Sequence, residues 1–413
     1  MISAILLGFL FAILLVFAGK FFKGKYAVLS SLIPLGLFVY FLQFIPEVMG
    51  GNIIRESYNW VPSFGVNLGF TLDGLSLLFC LMITGIGFLV FAYTSAYLHH
   101  HKYLDRFYGY LSVFMAAMLG LVLSDNVISL FIFWELTSIS SFFLIGFNNT
   151  QEASRKSALV ALGITGLGGM FLLAGVIVLG NITGTFSIAE MLNMSPELIK
   201  GNEYYSLAVI LLFGAAFTKS AQFPFHFWLP GAMKAPTPVS TYLHSATMVK
   251  AGIYLVMRFT PVLGGEEIWN TTLIIVGGVT MLYSAVHSLF RTDLKGVLAY
   301  STISALGILM FLIGMGTTAS FTAAAVFIIV HALYKATLFL TTGIIDHQTG
   351  TRDVTVLSGL RKVLMPVGIA AIIAAISSAG IPPTIGFLGK ELTYEATMHA
   401  PIIATILLVR IVI

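Results

Sequence analysis

Lys219, Lys250, Lys335 and Lys390 stand in stretches that are otherwise apolar, and Glu135, His244 and His331 stand in similar company. A charged side chain inside a hydrocarbon-spanning helix costs on the order of 3 kcal/mol even on lenient insertion scales, so such residues face a hydrated or paired interior. Amines and imidazoles exchange protons, and a movable carboxylate beside a buried amine biases whether that amine is charged. The chemistry these residue types can perform is therefore proton relay.

Glu135 lies in LFIFWELTSISSFFLIGF, ahead of a hydroxyl-rich face of Thr137, Ser138, Ser140 and Ser141. Asp125 and Asn126 are about 15 Å away along a helix, which puts Glu135 near mid-depth rather than at an interface. Lys219 precedes a break at Pro224 and pairs with Glu135 as a candidate proton switch. His244 and Lys250 share the next apolar run, where six residues at helical pitch would set them about 120° apart. His331 and Lys335, four residues apart, stack on one helix face. Each histidine taken alone could be a satisfied interhelical hydrogen bond; two His–Lys pairs in successive halves favour a relay. Lys390 follows a second break and is joined by Glu391, which also fits an interfacial charge cluster with Glu395 and His399. Asp73, at the start of its run, is expected at an interface.

The elements that must carry these residues follow from composition. Of 413 residues, 58% are hydrophobic and 9% charged, and the mean hydropathy is +0.97. A soluble domain carries about 25% charged residues, so this chain is a polytopic all-α membrane protein. Apolar runs at 2–18, 26–45, 74–97, 107–124, 127–147, 157–180, 205–233, 238–260, 271–290, 296–316, 321–345 and 364–399 give twelve spans, and 400–413 begins a thirteenth. The first run lacks a basic region ahead of it and a cleavage site after it, and is expected to be a retained helix.

Alternate connections test that count. One set holds thirteen basic residues, among them Lys102, Arg106, Arg155, Lys156, Lys234, Arg291, Lys295 and Arg352; the other holds Arg55, Lys200 and Arg258. The positive-inside rule then places the first set in the cytoplasm and the N-terminus outside. The seventh and twelfth runs are both broken by proline, each has a lysine beside the break, and they run in opposite directions. That pattern is the one inverted repeats produce. The expected organisation is 1–106 for three N-terminal helices, 107–262 for a first five-helix repeat and 263–413 for a second, its last helix incomplete.

Absences narrow the function. There is no Walker sequence, dinucleotide fingerprint or cysteine array, so no cofactor is expected. Cys80 is the one cysteine. His99, His100 and His101 lack the companions of a metal shell and read as a solvated turn. No serine has a hydrolase entourage. The net charge of +4 reflects membrane-flanking loops and not nucleic-acid binding.

FWELTSISSFFLIGF, FTKSAQFPFHFWLPGAMKAPTPVSTYLHSATMVKAGIYL, RTDLKGVLAYSTISALGIL and HALYKATLFLTTGII resemble the antiporter-like membrane subunits shared by respiratory complex I and Mrp-type cation/proton antiporters. The resemblance runs from about Asp73 onward, and GAMKAPTPVS and HSATMVKAGIY look most like the N-terminal part of the A-type subunit of the Mrp antiporters. It implies roles for Glu135 as the fifth-helix glutamate and Lys219 as the lysine of the broken seventh helix. It further implies that His244 and Lys250 form an eighth-helix relay, His331 and Lys335 an eleventh-helix link, and that Lys390 is the lysine of the broken twelfth helix. The expected function is proton translocation within a multisubunit Na+/H+ antiporter of a prokaryotic inner membrane. Na+ and H+ would be the transported ions and other membrane subunits the partners; the chain would be no enzyme. An alternative is the same role in a complex I-like or hydrogenase-linked pump, and a third reading makes the buried charges packing devices only. A-type chains of the family are usually longer, so a sodium-linked region would be missing or supplied by other polypeptides.

Overall fold

Backbone polar groups find no partners in lipid, so long apolar runs close their hydrogen bonds within themselves and become helices. The computed structural model describes residues 1–19, 24–61 and 66–398; the expected thirteenth span at 400–413, like Lys20, Lys23, His399 and Arg410, lies outside these. The chain opens with α1 (Ile2–Ala18), α2 (Leu32–Leu42) and the short α3 (Ile45–Met49). An antiparallel hairpin follows, β1 (Ile54–Val61) with β2 (Val66–Leu72), in which Ile54 faces Leu72 and Asn59 faces Asn67. Apolar-run counting alone predicts a plain connection here, so the hairpin is an addition.

Four long helices come next: α4 (Gly74–Tyr97), α5 (Leu104–Leu123), α6 (Val127–Ile145) and α7 (Glu152–Thr183). Their starts are chemically marked. Asp73 caps α4 by accepting from the Ser76 N–H at 2.9 Å, and Asn126 caps α6 by accepting from Ile128 N–H at 2.9 Å. The short α8 (Ile188–Leu192) and α9 (Pro196–Lys200) lead to α10 (Tyr205–Lys219). The seventh run then breaks as expected. It passes a 3-10 turn at Phe225–Phe227 and resumes as α11 (Trp228–Ala232).

The eighth run departs from its expected single helix. It is two helices, α12 (Thr237–Ser245) and α13 (Ala251–Leu263), joined through a 3-10 turn at Met248–Lys250. His244 and Lys250 therefore do not share one continuous helix, and the 120° separation expected from helical pitch does not apply. The hydroxyl-rich stretch offers a local reason: Ser245 and Thr247 both bond carbonyls of α12, competing with the regular ladder.

The remaining elements are α14 (Glu267–Leu289), α15 (Leu294–Gly314), α16 (Thr318–Thr349), α17 (Leu360–Val363), α18 (Met365–Ala379) and α19 (Ile385–Met398). The twelfth run breaks between α18 and α19, where Gly380 takes a left-handed φ of 70°. Among the described residues nine helices are long and apolar enough to cross a membrane, and three shorter apolar helices occupy the first, seventh and twelfth runs. The chain is thus the all-α polytopic membrane protein expected, with one small hairpin added.

Two features recur along the chain. α7 and α16 are each 32 residues long and each ends on a left-handed glycine, Gly184 and Gly350. Each is followed by a broken run, α10/α11 and α18/α19, that packs against it.

Candidate functional site

Lys219 closes α10 and is fully buried. Its ammonium crosses to α6, donating to the Ser138 hydroxyl at 2.7 Å and the Trp134 carbonyl at 3.1 Å, and lies 5.1 Å from the centre of the Trp134 ring. Glu135, next to Trp134 and three residues before Ser138, is half-buried. Its carboxylate lies within electrostatic range of Lys219 yet forms no ion pair with it, and its Oε1 is buried without a hydrogen-bond partner. Gly169 of α7 makes room for it, since a Cβ at that position would collide with Oε1. Thr137, Ser140 and Ser141 spend their hydroxyls on carbonyls of α6 itself, so of the four hydroxyls singled out in the sequence, Ser138 is the one that meets Lys219.

A second group gathers on α16. Lys250, fully buried at the junction of α12 and α13, donates to the Ile328 carbonyl at 2.8 Å. His331 lies one turn further along, and Lys335 one turn beyond that, steps of about 4.5 and 6 Å at helical rise. His331 is within electrostatic range of both lysines, and neither of its ring nitrogens has a protein partner. Lys335 turns to α15, donating to the Ser301 hydroxyl and to the Leu298 carbonyl at 3.3 Å. A Lys–His–Lys series thus follows α16 through the interior, as the i, i+4 spacing of His331 and Lys335 anticipates.

His244 is buried on α12 against the Phe339 ring, one turn past Lys335 on α16, and its Nδ1 has no partner. Lys295 lies within its electrostatic range. Sequence pattern places Lys295 among the loop cations, and the structure corrects this: it is 2% exposed and donates to the Ala235 carbonyl at 3.0 Å. Arg291 and Asp293 beside it disguise a first-turn residue of α15 as part of the loop. Lys390 is half-buried and donates to the Ala379 carbonyl at 2.8 Å, across the break between α18 and α19. The structure therefore brings together Glu135 with Lys219, and Lys250 with His331 and Lys335; it sets His244 with Lys295, and Lys390 at the second break.

Arg258 is the other cation whose surroundings differ from those its sequence neighbours suggest. Expected in a loop, it is buried on α13 and gripped by Asp73, with Nη1–Oδ2 at 2.5 Å and Nη2–Oδ1 at 3.0 Å. Asp73 is thus a helix cap and an ion-pair partner rather than a bare interfacial acid. Burial opposes its ionisation, but the hydrogen bonds and charge of Arg258, with the Ser76 bonds, outweigh this and hold the carboxyl at about 2. Among the described residues no three metal-ligating side chains converge, and His99 and His100 sit on an exposed turn.

Residues 124–413 match the family described as NADH:quinone oxidoreductase/Mrp antiporter, transmembrane, and residues 59–108 match the N-terminus of chain 5 of NADH-ubiquinone oxidoreductase (complex I). The chain is 46% identical over 414 residues to the A1 subunit of a Na(+)/H(+) antiporter of Staphylococcus aureus, covering 96% of this chain and 51% of that protein. It spans about half the length of the curated relatives it matches. Among solved structures it is similar to the Mrp complex from Dietzia sp. DQ12-45-1b, with a TM-score of 0.88 and 39% identity, covering 97% of this chain and 43% of the matched one. A chain of the membrane-bound sulfane sulfur reductase, an archaeal respiratory membrane complex, shares the fold, with a TM-score of 0.88 at 21% identity over 98% of this chain and 84% of that one.

Proposed function

The chain belongs to the NADH:quinone oxidoreductase/Mrp antiporter membrane family, and we propose that it conducts protons through its interior as part of a multisubunit Na+/H+ antiporter. The observation that carries this reading is the arrangement at Lys219. A buried ammonium is held by a hydroxyl and a carbonyl of α6, while a carboxylate with an unpartnered oxygen waits nearby on that same helix. A purely structural pair would have closed, because leaving a buried charge short of its partner costs several kcal/mol.

In the proposed cycle, approach of Glu135 stabilises the charged form of Lys219 and recession releases its proton. The proton then passes to the group formed by Lys250, His331 and Lys335, and on to Lys390 at the second broken helix. His244 and Lys295 join the relay from the basic face of the membrane. Groups this close titrate as a set, so the cycle belongs to the array and not to one residue. The distribution of basic loops supports an N-terminus outside, and the paired broken runs support halves at 107–262 and 263–413 that act as inverted repeats.

Glu135→Gln and Lys219→Ala are the decisive variants. Everted vesicles carrying the assembled antiporter should show no Na+-driven recovery of a pH-sensitive dye, with membrane levels of the chain unchanged. Near-normal dye responses would refute the switch, and loss of assembly would favour a packing role for the charges.

A further inference from the structure

Where α5 begins, α6 ends and α7 begins, a chamber of about 470 Å3 opens. Its water-side rim carries Arg106 of α5 and Arg155 of α7, and its deeper wall carries Tyr110, Phe143 and Leu159. Neither arginine has a carboxylate partner among the described residues. Arg106 lies on the Tyr103 ring, 4.8 Å from its centre, and Arg155 donates to the Asn149 carbonyl at 2.7 Å. Of the acids nearby in sequence, Glu152 is engaged by Lys156 at 2.7 Å, and Asp105 packs against Gly19 beyond the end of α1.

The order of the walls matters more than their composition. On α5, Arg106 is followed one turn deeper by Tyr110; on α7, Arg155 is followed one turn deeper by Leu159. Each step is about 6 Å of helix. Phe143 of α6 stacks on Tyr110 at 5.2 Å between ring centres and closes the deep end. Phe143 and Leu159 are 45% and 59% exposed, so the deep wall opens sideways to the membrane. A free phosphate needs the cations and has no use for an apolar flank. A phospholipid needs both, in this vertical order.

We propose that this chamber seats an anionic phospholipid, its phosphate between Arg106 and Arg155 and its first acyl carbons along Tyr110, Phe143 and Leu159. Arginine suits the role because its planar fork grips phosphate oxygens in pairs. Basic pockets between membrane helices hold anionic headgroups by this combination of charge and depth.

The test uses the full chain purified in detergent and exposed to phosphatidylglycerol or phosphatidylcholine, with retained lipid counted by native mass spectrometry. The intact chain retains phosphatidylglycerol preferentially. The Arg106→Ala/Arg155→Ala variant loses on the order of tenfold of that preference, while Lys234→Ala, an exposed cation outside the chamber, leaves it unchanged. Arg106→Lys/Arg155→Lys recovers part of the preference. Should the double alanine variant fold poorly, Arg155→Gln alone is read in the same assay and shows a smaller loss of the same sign. Three outcomes overturn the proposal: equal retention by the arginine variants, displacement of the lipid by millimolar inorganic phosphate, or a photocrosslinker at Phe143 that captures protein instead of lipid.

Discussion

The ammonium of Lys219 and the hydroxyl of Ser138 are 2.7 Å apart, and this bond holds the lysine on the helix that carries Glu135 without pairing the two charges. Ser138 is therefore the latch of the proposed switch. Ser138→Ala removes one of two acceptors and should bias the lysine toward Glu135. The expected result is slowed but measurable antiport, with an altered pH profile in vesicle assays. Ser138→Thr, which keeps the hydroxyl, should stay closer to the parent.

Gly169→Ala separates transport from stability. The added methyl would meet the end of the Glu135 side chain, overlapping Oε1 and standing 2.6 Å from the carboxyl carbon, and that end can swing away. Alanine also favours a helix interior over glycine by about 1 kcal/mol. Melting temperature should hold or rise while antiport falls sharply. A variant that transports normally would show that the carboxylate's position is unimportant.

Lys295→Met tests the cation that loop chemistry concealed. The variant keeps most of the length of the side chain and removes its charge beside His244. Antiport should drop several-fold with the chain still inserted. Coupling between His244 and Lys295 should appear as non-additive losses when both are replaced.

Asp73 is expected to contribute to acid stability through its pairing with Arg258. Its folded-state carboxyl sits at about 2, below the ordinary 3.8, because its bonds and charge pairing with Arg258 exceed the penalty of burial. A depressed carboxyl stabilises the fold fully above its unfolded value, and that stabilisation is lost as pH falls through the folded value. The contribution is about 2 kcal/mol, present above roughly pH 4 and gone below roughly pH 2. Asp73→Asn should flatten thermal melts of the detergent-solubilised chain across that window. It should also cost on the order of 3 kcal/mol at neutral pH, since it strands a buried guanidinium.

Much of this was legible in the sequence because lipid leaves few alternatives. Twelve apolar runs had to be helices, and prolines near Lys219 and Lys390 had to interrupt two of them. What escaped were features set by neighbours distant in the chain. Arg258 reads as a loop cation until Asp73, 185 residues earlier, is seen to neutralise it. Lys295 reads as solvated because its sequence neighbours are, although its side chain points the other way. The hairpin of β1 and β2 carries too weak an alternation to stand out between longer apolar runs. The bend between His244 and Lys250 is invisible to periodicity, since serine and threonine are compatible with a helix and also able to end one.

Lys219, Lys250, Lys295, Lys335 and Lys390 each donate to a main-chain carbonyl: those of Trp134, Ile328, Ala235, Leu298 and Ala379. An amide oxygen can steady an ammonium, but it is far too weak a base to carry off its hydrogen ion. These contacts park charge and do not pass it on. Substituting the acceptor side chains leaves every parking place intact, so tolerance at Ile328 or Ala379 says nothing against their importance. In the proposed relay, protons run through groups able to gain and lose hydrogen, and among the buried side chains those are few enough to count by mutation.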